Sequence, residues 1–246
     1  MRKLLERVAN RLGKHGSFEL DPAISAGDLV ILLAHLAARV WRGAWLRLRM
    51  RRAAGLVMVG RGVRVRHARH LSAGRNLIID DFAEVMALSR QGIVCGDHVT
   101  IGAFATIKPS NYYGRDLGQG LTIGDRSNIG AYSYVGCSGK ITIGSDVMIS
   151  PRVSLYAENH VFGDATRPMR DQGVKRAPIV IEDDCWIASG AIILAGVTVG
   201  RGSVVGAGSV VTHDLPPYSV AVGAPARVLR SRRASALAEV DDDARA

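Results

Sequence analysis

From Ile181 the chain reads I-E-D-D-C-W, I-A-S-G-A-I, I-L-A-G-V-T, V-G-R-G-S-V and V-G-A-G-S-V, five six-residue units that reach Val210 without a break. An aliphatic residue opens every unit and the following position is often small. Each unit supplies one short strand and one turn, so three units close a triangular coil of about 18 residues, the hexapeptide pattern of a parallel β-helix. Aliphatic residues six apart then line the interior, and the small second residue is expected to let the chain turn tightly. A sandwich of alternating strands would carry turn signals every 8–12 residues and no fixed six-residue phase.

The same beat runs upstream. It appears as I-D-D-F-A-E from Ile79 and V-M-A-L-S-R from Val85, then C-G-D-H-V-T from Cys95 and I-G-A-F-A-T from Ile101. It returns in I-G-D-R-S-N from Ile123, I-G-A-Y-S-Y from Ile129, I-G-S-D-V-M from Ile143 and I-S-P-R-V-S from Ile149. The expected organisation is a basic helical segment over 1–56, an all-β solenoid over 57–230 and a disordered tail over 231–246.

Composition agrees with an aliphatic, frequently turning chain: 48% of the 246 residues are apolar, only 5% are aromatic, and glycines number 28. The three cysteines, Cys95, Cys137 and Cys185, show no C-x-x-C spacing and leave an odd thiol if paired, which argues for a reducing cytoplasm over a disulfide framework or zinc knuckle. No apolar signal core follows the basic start Met1-Arg2-Lys3, so secretion is not expected.

The net charge of +10 is uneven, with eleven Lys or Arg against four Asp or Glu in residues 1–52. Within that segment Asp28 to Arg52 reads as a helix whose uninterrupted apolar part, about ten residues, is too short to cross a bilayer. Trp41 and Trp45 among Arg39, Arg42, Arg47, Arg49, Arg51 and Arg52 suit a helix lying on an anionic membrane at the inner face of the cell. The alternative is a helix packed on the solenoid with its arginines in water. A nucleic-acid partner is not expected, because no recognition fold surrounds the arginines.

Function in a solenoid sits where a loop leaves the wall. Two departures stand out: Pro109–Gly120, with Asn111, Tyr112 and Tyr113, and Val161–Pro178, with Arg167, Arg170, Lys175 and Arg176. His160 borders the second, at the exit corner between two regular runs. An imidazole titrates near neutrality and suits a general base.

From about Ile93 to Arg230 the chain resembles the hexapeptide-repeat acyltransferases, above all the maltose and galactoside O-acetyltransferases and their polysaccharide-modifying relatives. The resemblance implies a left-handed parallel β-helix, a homotrimer with active sites between subunits, acetyl-CoA as co-substrate, a saccharide acceptor and no metal. His160 falls where these enzymes keep their catalytic histidine. Cys185-Trp186-Ile187-Ala188-Ser189 resembles their V-W-I-G-S stretch, which implies that Ser189 faces the thioester and donates to the developing oxyanion. Ala207 to Pro217 and Val222 to Arg227 are similar to their A-G-S-x-V-T-K-D-I-P-P and G-x-P-A-R segments. They imply a coenzyme site of Trp186, Ser189, Ala207, Gly208, Thr212, His213, Arg227 and Arg230, the arginines meeting phosphate.

Two departures from the family pattern are visible: His213 replaces the usual lysine, and Gly130 falls where the sugar acetyltransferases have an acceptor-binding asparagine. Asn111, Tyr112, Asn128, Ser138 and Arg167 are therefore the acceptor-binding candidates. Two other readings compete. A γ-class carbonic anhydrase shares the solenoid but needs three histidines on zinc, and a trimeric scaffold would bind coenzyme A, or be tethered to a membrane, without turnover.

Overall fold

The protein is described by a computed structural model over residues 6–7, 21, 23–109 and 116–235. Three parallel sheets form the walls of a prism. Face 1 stacks seven strands from Arg52–Ala53 through Leu71–Ala73, Ile93–Cys95, Leu121–Ile123 and Ile141–Ile143 to Ile179–Ile181 and Thr198–Val199. Face 2 has nine strands, running from Val57–Val59 to Ser219–Val222 with Arg227–Ser231 folded back antiparallel at its end. Face 3 has seven, from Arg64–Arg66 to Val210–Val211. The chain visits the faces in the order 1, 2, 3, coil after coil, in the arrangement of a left-handed β-helix with one N-terminal helix.

The hexad's first residues become continuous interior columns. On face 1, Ala73, Cys95, Ile123, Ile143, Ile181 and Val199 are register partners in succession, and all are buried. Val85, Ile107, Val135, Leu155, Ile193 and Val211 form the corresponding column of face 3. Burying a side chain of this size contributes about 1.5–3 kcal/mol, so a phase slip that turned one column outward would remove much of the stabilisation of that wall.

The turn chemistry differs from expectation. The left-handed backbone falls on the fourth hexad position, where Phe82, His98, Phe104, Arg126, Tyr132, Asp146, Arg152 and Asp184 all have φ between 56° and 62°. The second position is small because of neighbouring backbone: a Cβ on Gly102 would lie 2.6 Å from the Ala131 nitrogen, and one on Gly130 would lie 2.2 Å from the Ser150 carbonyl oxygen. Gly130 therefore has no room for the asparagine that the family pattern carries there.

The wall also starts earlier than 57, at Arg52. At the other end Ser231 closes a strand and Arg232–Ser235 form a helical turn, held where Arg232 Nη1 donates to Gly202 O and the Arg233 guanidinium lies 3.9 Å from the Tyr218 ring centroid. The expected disordered tail otherwise falls on residues 236–246, outside the described residues.

Helix α1 spans Ala26–Arg47, not Asp28–Arg52; Ser25 and Asp28 close a capping box at its start. Its 22 residues include an 18-residue window of mean hydropathy 1.4, so by length and composition it could cross a bilayer, contrary to the shorter apolar run read from the sequence. Its C-terminal half is fixed on the first coil. Gly43 lets the helix approach so closely that a Cβ there would lie 1.8 Å from Val57 O. Leu46 joins the solenoid core, Arg42 Nε donates to Val59 O at 2.8 Å, and Arg39 pairs with Asp80. The helix thus covers the N-terminal end of a core that would otherwise be open.

Candidate active site

Both insertions leave the solenoid at one corner, where face 3 turns into face 1. The first follows Thr106–Ile107; Asn111, Tyr112 and Tyr113 lie outside the described residues. The second is a hairpin in which Glu158–His160 pairs antiparallel with Val174–Arg176, His160 opposite Val174. Arg176 joins the two: Nε meets Glu158 Oε2 at 3.0 Å, while the guanidinium donates to Leu117 O and Asp116 O, both at 3.4 Å.

At the root of the hairpin a cavity of about 230 Å³ is lined by Lys108, Tyr134, Ser138, Tyr156, Glu158 and His160 among others. The Tyr134 and Tyr156 rings lie 5.5 Å apart. Burial, with Tyr156 alongside, pushes the Tyr134 phenol upward, so it stays protonated and able to donate. His160 itself is exposed at the rim. Of the expected residues that the structure describes, His160 and Ser138 line this cavity. Arg167 is at the hairpin tip, its Nη2 donating to Asp171 O at 2.7 Å.

The remaining candidates lie elsewhere. Trp186 is on face 2, its Nε1 donating to Ser150 Oγ at 3.0 Å. It lines a shallow hollow of about 480 Å³ with Asn128 and Gly130. Asn128 Nδ2 donates to Ile149 O at 2.7 Å, so that amide braces the wall. Ser189 is exposed at the corner between faces 2 and 3, and Gly208 N donates to Ser189 O at 2.9 Å, stacking Ala207–Gly208 one coil below. Thr212 and His213 are in contact at 2.8 Å, just past the last strand of face 3. Arg227 and Arg230 are exposed on the returning strand Arg227–Ser231.

The candidates therefore form two strips on opposite edges of face 3. Ser189, Ala207 and Gly208 run down the edge shared with face 2, continuous with Trp186; His160, Ser138, Thr212 and His213 run down the edge shared with face 1. At about 3.3 Å per residue, the strand and flanking turn put these edges on the order of 15 Å apart. One protomer does not bring Ser189 to His160.

The thiols offer no alternative nucleophile. Burial drives Cys95 and Cys137 up to about 12 and Cys185 to about 11, far from the thiolate form that reacts. Among the described residues of one protomer no group of three or more His, Cys, Asp or Glu side chains could hold a metal ion.

The bacterial transferase hexapeptide family (six repeats) matches residues 178–213, and the hexapeptide repeat of succinyl-transferase matches residues 120–151. Galactoside O-acetyltransferase of Escherichia coli is 34% identical over 57% of this chain and 68% of its own length; nodulation protein L of Rhizobium meliloti is 39% identical over 52% and 68%. The chain belongs to the hexapeptide-repeat acyltransferases. It spans only 38% and 42% of two further relatives, from Mycobacterium tuberculosis and Schizosaccharomyces pombe. The crystal structure of AntD, an N-acyltransferase from Bacillus cereus, with dTDP and 3-hydroxybutyryl-CoA, shares the fold at a TM-score of 0.52 and 21% identity, over 82% of this chain and 93% of that one.

Proposed function

We propose that the protein is an acetyl-CoA-dependent O-acetyltransferase acting on a sugar hydroxyl of a cell-surface polysaccharide or its lipid-linked precursor. It works in the cytoplasm, at the inner face of the membrane, as a homotrimer. The observation that carries this is His160 on the rim of a polar and aromatic cavity at the corner where both insertions meet. Tyrosine rings beside a hydrogen-bonding wall suit a sugar ring, whose faces are apolar and whose edge is polar.

In this reading the His160 imidazole takes the acceptor proton as the hydroxyl oxygen attacks the thioester carbonyl; the carbon–sulfur bond then breaks and expels the coenzyme as a thiolate, an easy leaving group because thiols have a pKa of about 8.5, and the imidazolium returns its proton to that sulfur. Ser189 and nearby backbone N–H groups hold the oxyanion. The Trp186, Ser189, Ala207 and Gly208 strip, with Thr212, His213, Arg227 and Arg230, holds acetyl-CoA. Because the two strips stand on opposite edges of face 3, each site joins the His160 edge of one protomer to the Ser189 edge of the next.

The test follows thiol release from acetyl-CoA with pooled bacterial envelope saccharides, comparing wild type with His160→Ala at equal trimer content. Acceptor-dependent release that falls at least about 100-fold in the variant supports the reading. Coenzyme binding without release would favour the scaffold; absence of both would overturn the acyltransferase.

A further inference from the structure

Charge is segregated along this molecule. Between residues 29 and 79, which cover nearly all of α1 and the start of the solenoid, there are eleven of the chain's basic residues, all arginine, and none of its acidic ones; the rest of the chain therefore sums to −1 against a total of +10. Arg49, Arg51, Arg52, Arg61 and Arg64 are all exposed.

The same end carries an uncovered apolar stripe. Val30 is 56% exposed, Trp41 66%, Trp45 59% and Leu48 79%. At 100° per residue these side chains, with Ala34, fall within about 60° of one another around the helix axis, along about 27 Å of its length. The docked side, with Gly43 and Leu46 buried, faces the first coil. Trp41 and Trp45 meet edge to face at 6.1 Å and border a hollow of about 270 Å³ that Arg49 also lines.

We propose that the outward face of α1, with the arginine-rich start of the solenoid, docks on an anionic lipid surface, the helix lying in the interface with its tryptophans in the headgroup region. Gly43, Arg39 and Arg42 hold the C-terminal half against the coil, so the helix lies along the bilayer instead of crossing it. A second copy on this face would set arginine cluster against arginine cluster, and a nucleic acid has no use for Val30, Ile31 and Leu48. The inference does not depend on acetyl transfer.

The test is co-sedimentation of the full-length protein with phosphatidylcholine vesicles and with vesicles containing about a third phosphatidylglycerol. Binding is expected to the anionic vesicles only, with release by about 0.5 M salt. Arg49→Gln with Arg52→Gln should weaken partitioning about 30-fold. In a Trp186→Phe background, which leaves only Trp41 and Trp45 to report, emission should shift to the blue on the anionic vesicles. Equal binding to both vesicles, no binding, or binding that resists high salt and yields only to detergent would each overturn the proposal. So would Trp41→Ser with Trp45→Ser dissociating the oligomer while vesicle binding is untouched.

Discussion

Mixing two inactive variants should restore activity if each site is shared by two protomers. His160→Ala removes the base, worth about 10²–10⁴ in rate, and Ser189→Ala removes an oxyanion donor, worth about 10²–10³. The two residues lie on opposite edges of face 3, too far apart to serve one site in one protomer. Co-expressed in equal amounts with different affinity tags, the variants assemble at random. A site is intact when its His160 edge comes from a Ser189→Ala chain and its Ser189 edge from a His160→Ala chain, so about one site in four is wild type in a cyclic trimer. Thiol release by trimers carrying both tags should then approach a third of the wild-type rate, since every 2:1 trimer holds one intact site, and the unfractionated mixture about a quarter. Either homotrimer alone should stay near one per cent or below. If mixed trimers show no more than the mean of the two parents, sharing across subunits is wrong.

Arg176→Ala releases Glu158, on the His160 strand, from the carbonyls of Leu117 and Asp116 that Arg176 also holds; kcat should fall about 10- to 100-fold with coenzyme affinity unchanged by calorimetry. Gly43→Val forces a side chain into the Val57 carbonyl and should lower stability by about 2–4 kcal/mol in urea at fixed protein concentration, opening the 48–56 link to protease. Leu155→Ala, in the fully buried face 3 column, should cost about 2–5 kcal/mol in the same assay. Cys95 has a folded pKa raised from 9.0 to about 12, so the unfolded chain releases its proton first as pH rises. Stability contributed by the neutral thiol is intact below pH 9 and is lost between about 9 and 12. Unfolding at pH 8 and pH 10 should show Cys95→Ala avoiding about 1.4 kcal/mol of the alkaline loss.

The hexad made the interior legible because one residue in six had to be aliphatic and buried, and Ile181 to Val210 kept that rule unbroken. It was less informative near Arg61–Arg66, where arginine alternates with glycine or valine, and the 3₁₀ turn Ala68–His70 follows at once. The fourth-position backbone was hidden for another reason. Phe82, Phe104 and Tyr132 occupy it, and ring stacking between coils at 5.0 and 4.9 Å accompanies a conformation that aromatic side chains otherwise avoid. Lys108, Tyr134 and Tyr156 were missed because outward positions carry no periodic mark. Only coil-to-coil register brings residues about 20 or more positions apart into one cavity.

His160 was legible because an insertion interrupts the beat beside it; what the sequence did not show is that the other insertion emerges at the same corner. In a coil of three faces, a loop after face 3 in one turn and a loop after face 3 two turns later stand one above the other, whatever their separation along the chain. Arg176 makes use of this, spanning from its own hairpin to the end of the first insertion. The short corner between them, Cys137–Lys140, keeps Ser138 and Gly139 buried, and a larger excursion there would fill the gap that becomes the cavity. A Cβ on Gly139 would lie 2.4 Å from Ala157 O and 2.6 Å from Ala177 O, so even a single methyl group at that corner would press on both strands of the hairpin root. The cavity thus depends on two insertions with a tight turn between them, and on the proposed reading that spacing sets how far His160 can stand from the acceptor it deprotonates.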